Sequence, residues 1–248
     1  MSDANPAAAE ARAAEFGLPA RSVDAVLSDP SIEIVLNLTV PKAHVEVGLK
    51  AIAAGKHVYS EKPLGIALAE ARALIDAAAA RVLRVGSAPD TFLGGAQQTA
   101  RQCVDEGLIG RPIGGAAFFM CPGHERWHPN PGFYYLGGGG PMLDMGPYYV
   151  TALVNCLGPV ASVSGVATRT RPERVITSEP LAGTRIPVEV ATHVTGTLLF
   201  ASGALALHVL EVMEAFQTSS DAGKSIAIST RPERPAPMPA SLAVGDLD

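Results

Sequence analysis

The spacing of apolar and polar positions changes character near residue 86. Before it, helical and strand-like stretches alternate. Asn5-Pro6 predicts a helix start, with Asn as cap and Pro in the first turn; Ala7 to Phe16 carries the helix and Gly17 closes it. Val23 to Leu27 predicts a short helix ahead of Asp29-Pro30. Ile32 to Leu38 is almost continuously apolar, as in a strand covered on both faces. Ala43 to Ala54 then reads as a helix, His57 to Ser60 as a strand, Leu68 to Ala80 as a helix and Val82 to Val85 as a strand. This order predicts right-handed crossovers and a parallel sheet. Ligands of such sheets sit beyond the carboxyl ends of the strands, so residues 37–41 and 60–63 are the first places to look.

After residue 86 the crossovers disappear. Gly95 to Glu106 predicts a helix closed by Gly107, and Ile113 to Met120 a strand. A long loop rich in Pro, Gly and aromatics runs from Cys121 to Gly140, and Met142 to Leu157 predicts a helix. Val160 to Ala167, Val188 to Phe200 and Ala204 to Met213 read as strands, the last two joined by a tight turn at Ala201-Ser202-Gly203. Consecutive strands of this kind predict a mostly antiparallel, open sheet. The fold class is therefore α/β: a parallel-sheet unit at 1–86, then an α+β unit at 87–216. From 217 to 248 the periodicity fades and Pro recurs at 232, 235, 237 and 239, which predicts a disordered tail.

Composition narrows the function classes. Apolar residues make up 48% of the 248, enough for a packed core, and the formal net charge is −5. That balance argues against nucleic acid, which needs clustered Lys and Arg. The uncharged stretch from Val190 to Leu210 has the length of a membrane span, but its Thr, Ser and His residues and the Ala201–Gly203 break favour the hairpin, so no membrane partner is expected. Three scattered cysteines predict reduced thiols, and Met1 to Pro6 does not resemble a signal peptide, so a cytoplasmic location is expected.

Several motifs carry candidate chemistry. His124-Glu125-Arg126-Trp127-His128 matches HExxH by letter, but flanking Pro and Gly argue against the helix that would bring both rings to one metal, so no metal site is expected. His124 and His128 are instead candidate substrate-loop residues. Gly223-Lys224-Ser225 lacks the rest of a P-loop, and no GxGxxG exists. Glu61-Lys62-Pro63 sets an amine at a strand end, where it can bind a cofactor or polarise an alcohol. Gly137 to Gly140 lets the backbone approach a ligand or another segment closely. Asp144 and Tyr148, four apart, fall on one helical face, where an acid and a phenol can handle a proton.

In order along the chain, Pro41-x-x-His44, Ala54-Gly-Lys-His-Val58, Glu61-Lys62-Pro63 and Gly138-Gly-Gly-Pro-Met-Leu-Asp144-Met-Gly146 resemble the Gfo/Idh/MocA oxidoreductases, the family of glucose-fructose oxidoreductase and inositol dehydrogenase. The resemblance covers about Ser2 to Met213. It implies a Rossmann unit, incomplete here, and hydride transfer between NAD or NADP and a sugar or polyol. It implies Lys62, Asp144 and Tyr148 as catalytic residues, Tyr148 standing where the family usually has His. A phenol becomes a useful base near neutrality only if a cation such as Lys62 lowers its pKa. Asp3, Leu38, Thr39, Pro41, His44, Glu61 and Lys62 fall at the implied cofactor contacts, with Asp3 matching the acid that binds a ribose hydroxyl. Members commonly pair through the open sheet, so a homo-oligomer is expected. The family also has a strand and glycine turn ahead of Ser2 and further strands beyond Ala215, so the chain reads as truncated at both ends. A non-catalytic remnant acting as a binding module is the alternative reading.

Overall fold

The computed structural model describes residues 1–200 and 206–230. Its first unit follows the predicted alternation. Helix α1 (Pro6–Phe16) starts where Asn5 Oδ1 accepts the Ala7 N–H at 3.1 Å, and it ends at Gly17 in the left-handed region, φ 64°. Helix α2 (Val23–Ser28) is capped by Ser22. Strand β1 (Ile34–Asn37) leads through a turn at Pro41–Ala43 into α3 (His44–Ala53). Then come β2 (His57–Ser60), α4 (Leu68–Ala79) and β3 (Val85–Ser87). The three strands are parallel in the order β1-β2-β3, with Leu36 opposite Tyr59 and Tyr59 opposite Gly86.

Two expectations are corrected here. The strand expected at Val82 begins at Val85, because Val82 sits in the turn after α4 with φ 57° and 87% exposure. Nor is β1 covered on both faces. Ala51, Ile52, Leu74 and Ala78 of α3 and α4 bury Val35, Val58 and Val85 on one side. Ile34 and Leu36 point to the other and are 57% and 64% exposed.

The second unit begins with α5 (Gly95–Asp105), followed by the short helices α6 (Gly132–Tyr135) and α7 (Gly140–Asp144) and the longer α8 (Gly146–Leu157). Strand β4 (Val160–Thr168) is central, β5 (Glu173–Val175) and β6 (Arg185–Pro187) form a separate ribbon, and β7 (His193–Phe200) pairs antiparallel with β4. Helix α9 (Ala206–Ala222) and strand β8 (Ile226–Ala227) follow, and the sheet order is β7-β4-β8, all antiparallel.

Four expectations fail in this half. Ile113 to Met120 forms no strand: Ile113, Phe118 and Met120 are exposed, and among the described residues no strand offers them ladder bonds. The strand expected from Val188 starts only at His193. Ala204 to Met213 is not a strand, since α9 begins at Ala206; the turn expected at 201–203 lies outside the described residues. Buried Val212, Met213, Ala215, Phe216 and Ser219 recur at helical spacing. Phe216 lies where a Cβ on Gly165 or Gly196 would come within 2.8 or 2.7 Å of its ring, so those two glycines let α9 sit down on the sheet. Finally, residues 217–230 are ordered: α9 continues to Ala222, β8 pairs with Ser162 and Val163, and Glu211 accepts the N–H and O–H groups of Ser229 and Thr230. The remainder of the expected tail, 231–248, lies outside the described residues.

The two units share one core. Leu74 and Ala78 belong to the same buried cluster as Val150, Val154, Met213 and Phe216. Glu214 Oε1 accepts the Leu68 N–H at 2.5 Å, capping the start of α4 from the far unit. Among the described residues, no helix is long and apolar enough to cross a membrane. Among the described residues, Cys103, Cys121 and Cys156 form no disulfide.

Candidate active site

The carboxyl ends of β1 and β2 are tied together by buried polar groups. Asn37, the last residue of β1, is 1% exposed; its Nδ2 donates to the His44 carbonyl at 2.9 Å and its Oδ1 accepts the Thr39 hydroxyl at 2.7 Å. The His44 ring, also 1% exposed, places Nδ1 2.6 Å from the Pro63 carbonyl and Nε2 2.9 Å from the Thr39 carbonyl. The His44 ring therefore bridges two loops, facing a main-chain carbonyl of each. Leu38 and Val40 stand exposed on the crest of this turn. Glu61 N donates to the Asn37 carbonyl at 2.9 Å, and Glu61 Oε2 accepts the Lys62 N–H at 2.8 Å.

So fixed, Lys62 reaches across to the second unit. Its Nζ donates to Oδ1 and to the main-chain carbonyl of Asp144, both at 2.6 Å, with the Lys62 side chain 12% exposed. An ammonium has three donors, which leaves one N–H for a ligand. The Lys62 cation also lies 5.1 Å from the Tyr148 ring centroid. It does not make Tyr148 a base. Burial first, then the carboxylates of Glu61, Asp144 and Asp90, push the phenol above its ordinary pKa. At neutral pH Tyr148 is a hydrogen-bond donor.

The loop from Cys121 to Gly140 brings a further group. His124 Nε2 lies 3.4 Å from Asp144 Oδ2, and its ring stacks on Tyr134 with centroids 3.8 Å apart. His124-Glu125-Arg126 forms a single tight turn, not a helix. Glu125 points away from His124: it accepts from Arg174 Nη1 at 2.8 Å and, in a very short contact, from the Tyr135 hydroxyl. Burial, then the hydrogen bond to Glu125, hold Tyr135 above its ordinary pKa, so it stays a donor. The Glu125 carbonyl takes the N–H groups of Thr177 and Ser178, which docks the loop on the β5–β6 ribbon.

His128 does not join this cluster. Its Nδ1 accepts the Asn130 N–H at 3.0 Å, and its ring meets the edges of Trp127 and Phe133. Asp3 is exposed and accepts the Asn5 N–H at 2.7 Å just ahead of α1. The glycine run has a packing role: a Cβ on Gly139 would lie 2.4 Å from the Phe133 carbonyl and 2.6 Å from that of Tyr134, so the turn rests directly on α6. Asn37, Tyr134, Tyr135 and Arg174 were not signalled as site residues. Of these only Asn37 had a local sign, a lone amide inside an apolar run.

Comparison with known proteins places this geometry. The oxidoreductase-family model with an NAD-binding Rossmann fold matches residues 1–88, and the GFO/IDH/MocA C-terminal domain matches residues 97–222. The chain is 34% identical over 134 residues to the 1,5-anhydro-D-fructose reductase of Ensifer adhaerens, covering 52% of this chain and 39% of that protein. It is 26% identical over 223 residues to the levoglucosan dehydrogenase of Pseudarthrobacter phenanthrenivorans, covering 83% and 56%. A levoglucosan dehydrogenase structure in its apo form superposes with a TM-score of 0.65 at 25% identity, covering 81% of this chain and 54% of that one. The chain thus spans about half the length of the curated relatives it matches. With a parallel unit and an antiparallel unit joined through Lys62 and Asp144, it belongs to the GFO/IDH/MocA oxidoreductase family.

Proposed function

We propose that this chain carries the reaction site of an NAD(P)-dependent dehydrogenase acting on a hydroxyl-bearing carbon of a sugar or polyol. The observation that carries this reading is Lys62 on Asp144, with one ammonium N–H left over, at the carboxyl ends of the parallel strands. Its relatives are named for sugar chemistry. The crest beside Lys62 fits the nicotinamide end of the cofactor: exposed Leu38 and Val40 offer apolar surface, while Thr39 and Glu61 offer polar groups. When bound, the nicotinamide exchanges hydride with the substrate carbon.

The chain's own groups handle orientation and the proton. Lys62 grips the hydroxyl with its remaining N–H, Asp144 aims Lys62, and Tyr148 donates to the same oxygen or a neighbouring one. His124 and His128 border the substrate from the loop. Asp3, Leu38, Thr39, Pro41, Glu61 and Lys62 face the cofactor, Asp3 toward a ribose hydroxyl. The sheet face opposite α9, with exposed Val166 and Leu199, is the surface for pairing two copies. The alternative reading is a binding module of the same fold.

Titration with NADH and NADPH, followed by nicotinamide fluorescence, separates the two readings. Saturable binding supports the dehydrogenase; no binding at millimolar cofactor leaves the binding module. In a version that turns over, Lys62→Ala lowers kcat by about 10²–10⁴-fold while the thermal transition moves little. Unchanged turnover in that variant sinks the assigned role.

A further inference from the structure

Asp144 has two carboxylate oxygens, and they face different partners. Oδ1 accepts from Lys62 at 2.6 Å, while Oδ2 faces His124 Nε2 at 3.4 Å. The second distance is longer than the ~2.7–2.9 Å of a charge-assisted hydrogen bond, so a proton placed between Nε2 and Oδ2 has room to draw them together. The His124 side chain is 10% exposed, and its Nδ1 is buried without a hydrogen-bond partner. The ring lies between Tyr134 and Trp127, which fix its plane.

Charged groups around the ring come from every neighbouring segment. Asp144 lies at the end of α7, Lys62 after β2, and Glu125 and His128 in its own loop; Tyr134 stacks from α6. Glu125 is committed to Arg174 and Tyr135. Burial is the largest influence and outweighs the attraction of Asp144, so His124 titrates below the ordinary histidine range. At neutral pH the ring is uncharged and able to take a proton.

We propose that His124 is the terminal proton acceptor of the site, receiving through Asp144 the proton that leaves the substrate hydroxyl by way of Lys62. This rests on the dehydrogenase reading. In the oxidation direction, Lys62 Nζ gives a proton to Asp144 Oδ1 and takes one from the substrate O–H. The carboxyl group, turning about Cβ–Cγ, passes its proton to His124 Nε2. Lys62 ends as ammonium, Asp144 as carboxylate and His124 as imidazolium. The substrate has lost one proton this way, and the electron pair of its C–H bond leaves as hydride to the nicotinamide. His124 acts through Asp144 and need not touch the substrate.

Two measurements on the full chain test this. The first needs no cofactor: the histidine rings of the ¹⁵N-labelled protein are titrated by NMR between pH 5 and 9. Asp144→Asn removes the carboxylate that favours the charged ring, so the His124 midpoint falls while that of exposed His193 stays. A His124 midpoint unmoved by Asp144→Asn overturns the proposal, whether or not the chain turns over. The second follows oxidation rate against pH. Wild type gains kcat as pH rises through the His124 midpoint; His124→Asn loses that rise and about 10²-fold in kcat, with KM little changed. A variant that keeps the wild-type pH profile, or that changes KM alone, overturns it. Absence of any cofactor-linked turnover in wild type strikes the dehydrogenase reading instead, and the NMR titration still decides the coupling.

Discussion

The two loops that meet at Asp144 are held by different means. The loop carrying Lys62 is anchored by His44 and Asn37, whose partners are main-chain carbonyls and a hydroxyl no more than 19 residues away. The loop carrying His124 is anchored by Glu125, which pairs with Arg174 at a separation of 49 residues and with the hydroxyl of Tyr135. The first anchor is complete once β1, α3 and β2 are in place. The second needs the β5–β6 ribbon as well, and closing the longer loop costs more entropy. Breaking a neutral polar contact to backbone strands an uncharged group, whereas a buried ion pair that loses one member strands a charge in the interior, which costs more. The Lys62 side of the site is thus local and robust, and the His124 side is long-range and brittle.

The strongest way to break this contrast is Glu125→Ala. It leaves Arg174, whose side chain is 20% exposed, without its carboxylate, and lowers stability by about 3 kcal/mol in urea unfolding. Replacing both partners, Glu125→Leu with Arg174→Met, recovers most of that loss; a double variant as unstable as Glu125→Ala refutes the ion-pair account. His44→Ala removes two contacts to carbonyls and costs about 2 kcal/mol. Its amide-exchange signature stays within residues 37–63, while that of Glu125→Ala spreads through the 121–140 loop and the ribbon. Tyr135→Phe removes one hydroxyl from Glu125 and costs about 1 kcal/mol by thermal unfolding. Similar spread of exchange in both anchors would erase the distinction between them.

The smallest effect is on pH. His124 is pushed below its ordinary pKa, so below the unfolded value near ~6.5 the unfolded chain binds the proton more readily than the folded one. Stability contributed by the neutral ring is present above that value and is lost as pH falls toward the folded pKa. His124→Phe flattens this part of the stability curve between pH 7 and 5; an unchanged curve refutes the assignment.

The same contrast explains what could be read from the residues. Lys62 and Asp144 announce themselves through motifs, and the parallel unit through its alternation. Glu125 hides inside a five-letter match to a metal motif, while its true partner lies on a ribbon only three residues wide on each strand. No local pattern links residues 125 and 174. Helix α9 passes for a strand in the sequence because Ala204 to Met213 alternates over a short window. The helical spacing shows only when Phe216 and Ser219 are included; both lie beyond that window, and Ser219 falls in the stretch from 217 where the periodicity fades. The exposed face of β1 is hidden in the sequence for a different reason: an apolar run reports hydrophobicity, not which side the crossover helices take.

Lys62 binds the main-chain carbonyl of Asp144 as well as its carboxylate. A carbonyl is present whatever residue occupies position 144. Drift at that position therefore removes the carboxylate contact without removing the carbonyl contact across the two units. In evolutionary terms the joint outlives the side chain: a descendant with another residue at 144 keeps the Lys62 contact to that carbonyl, and with it the meeting of the two units.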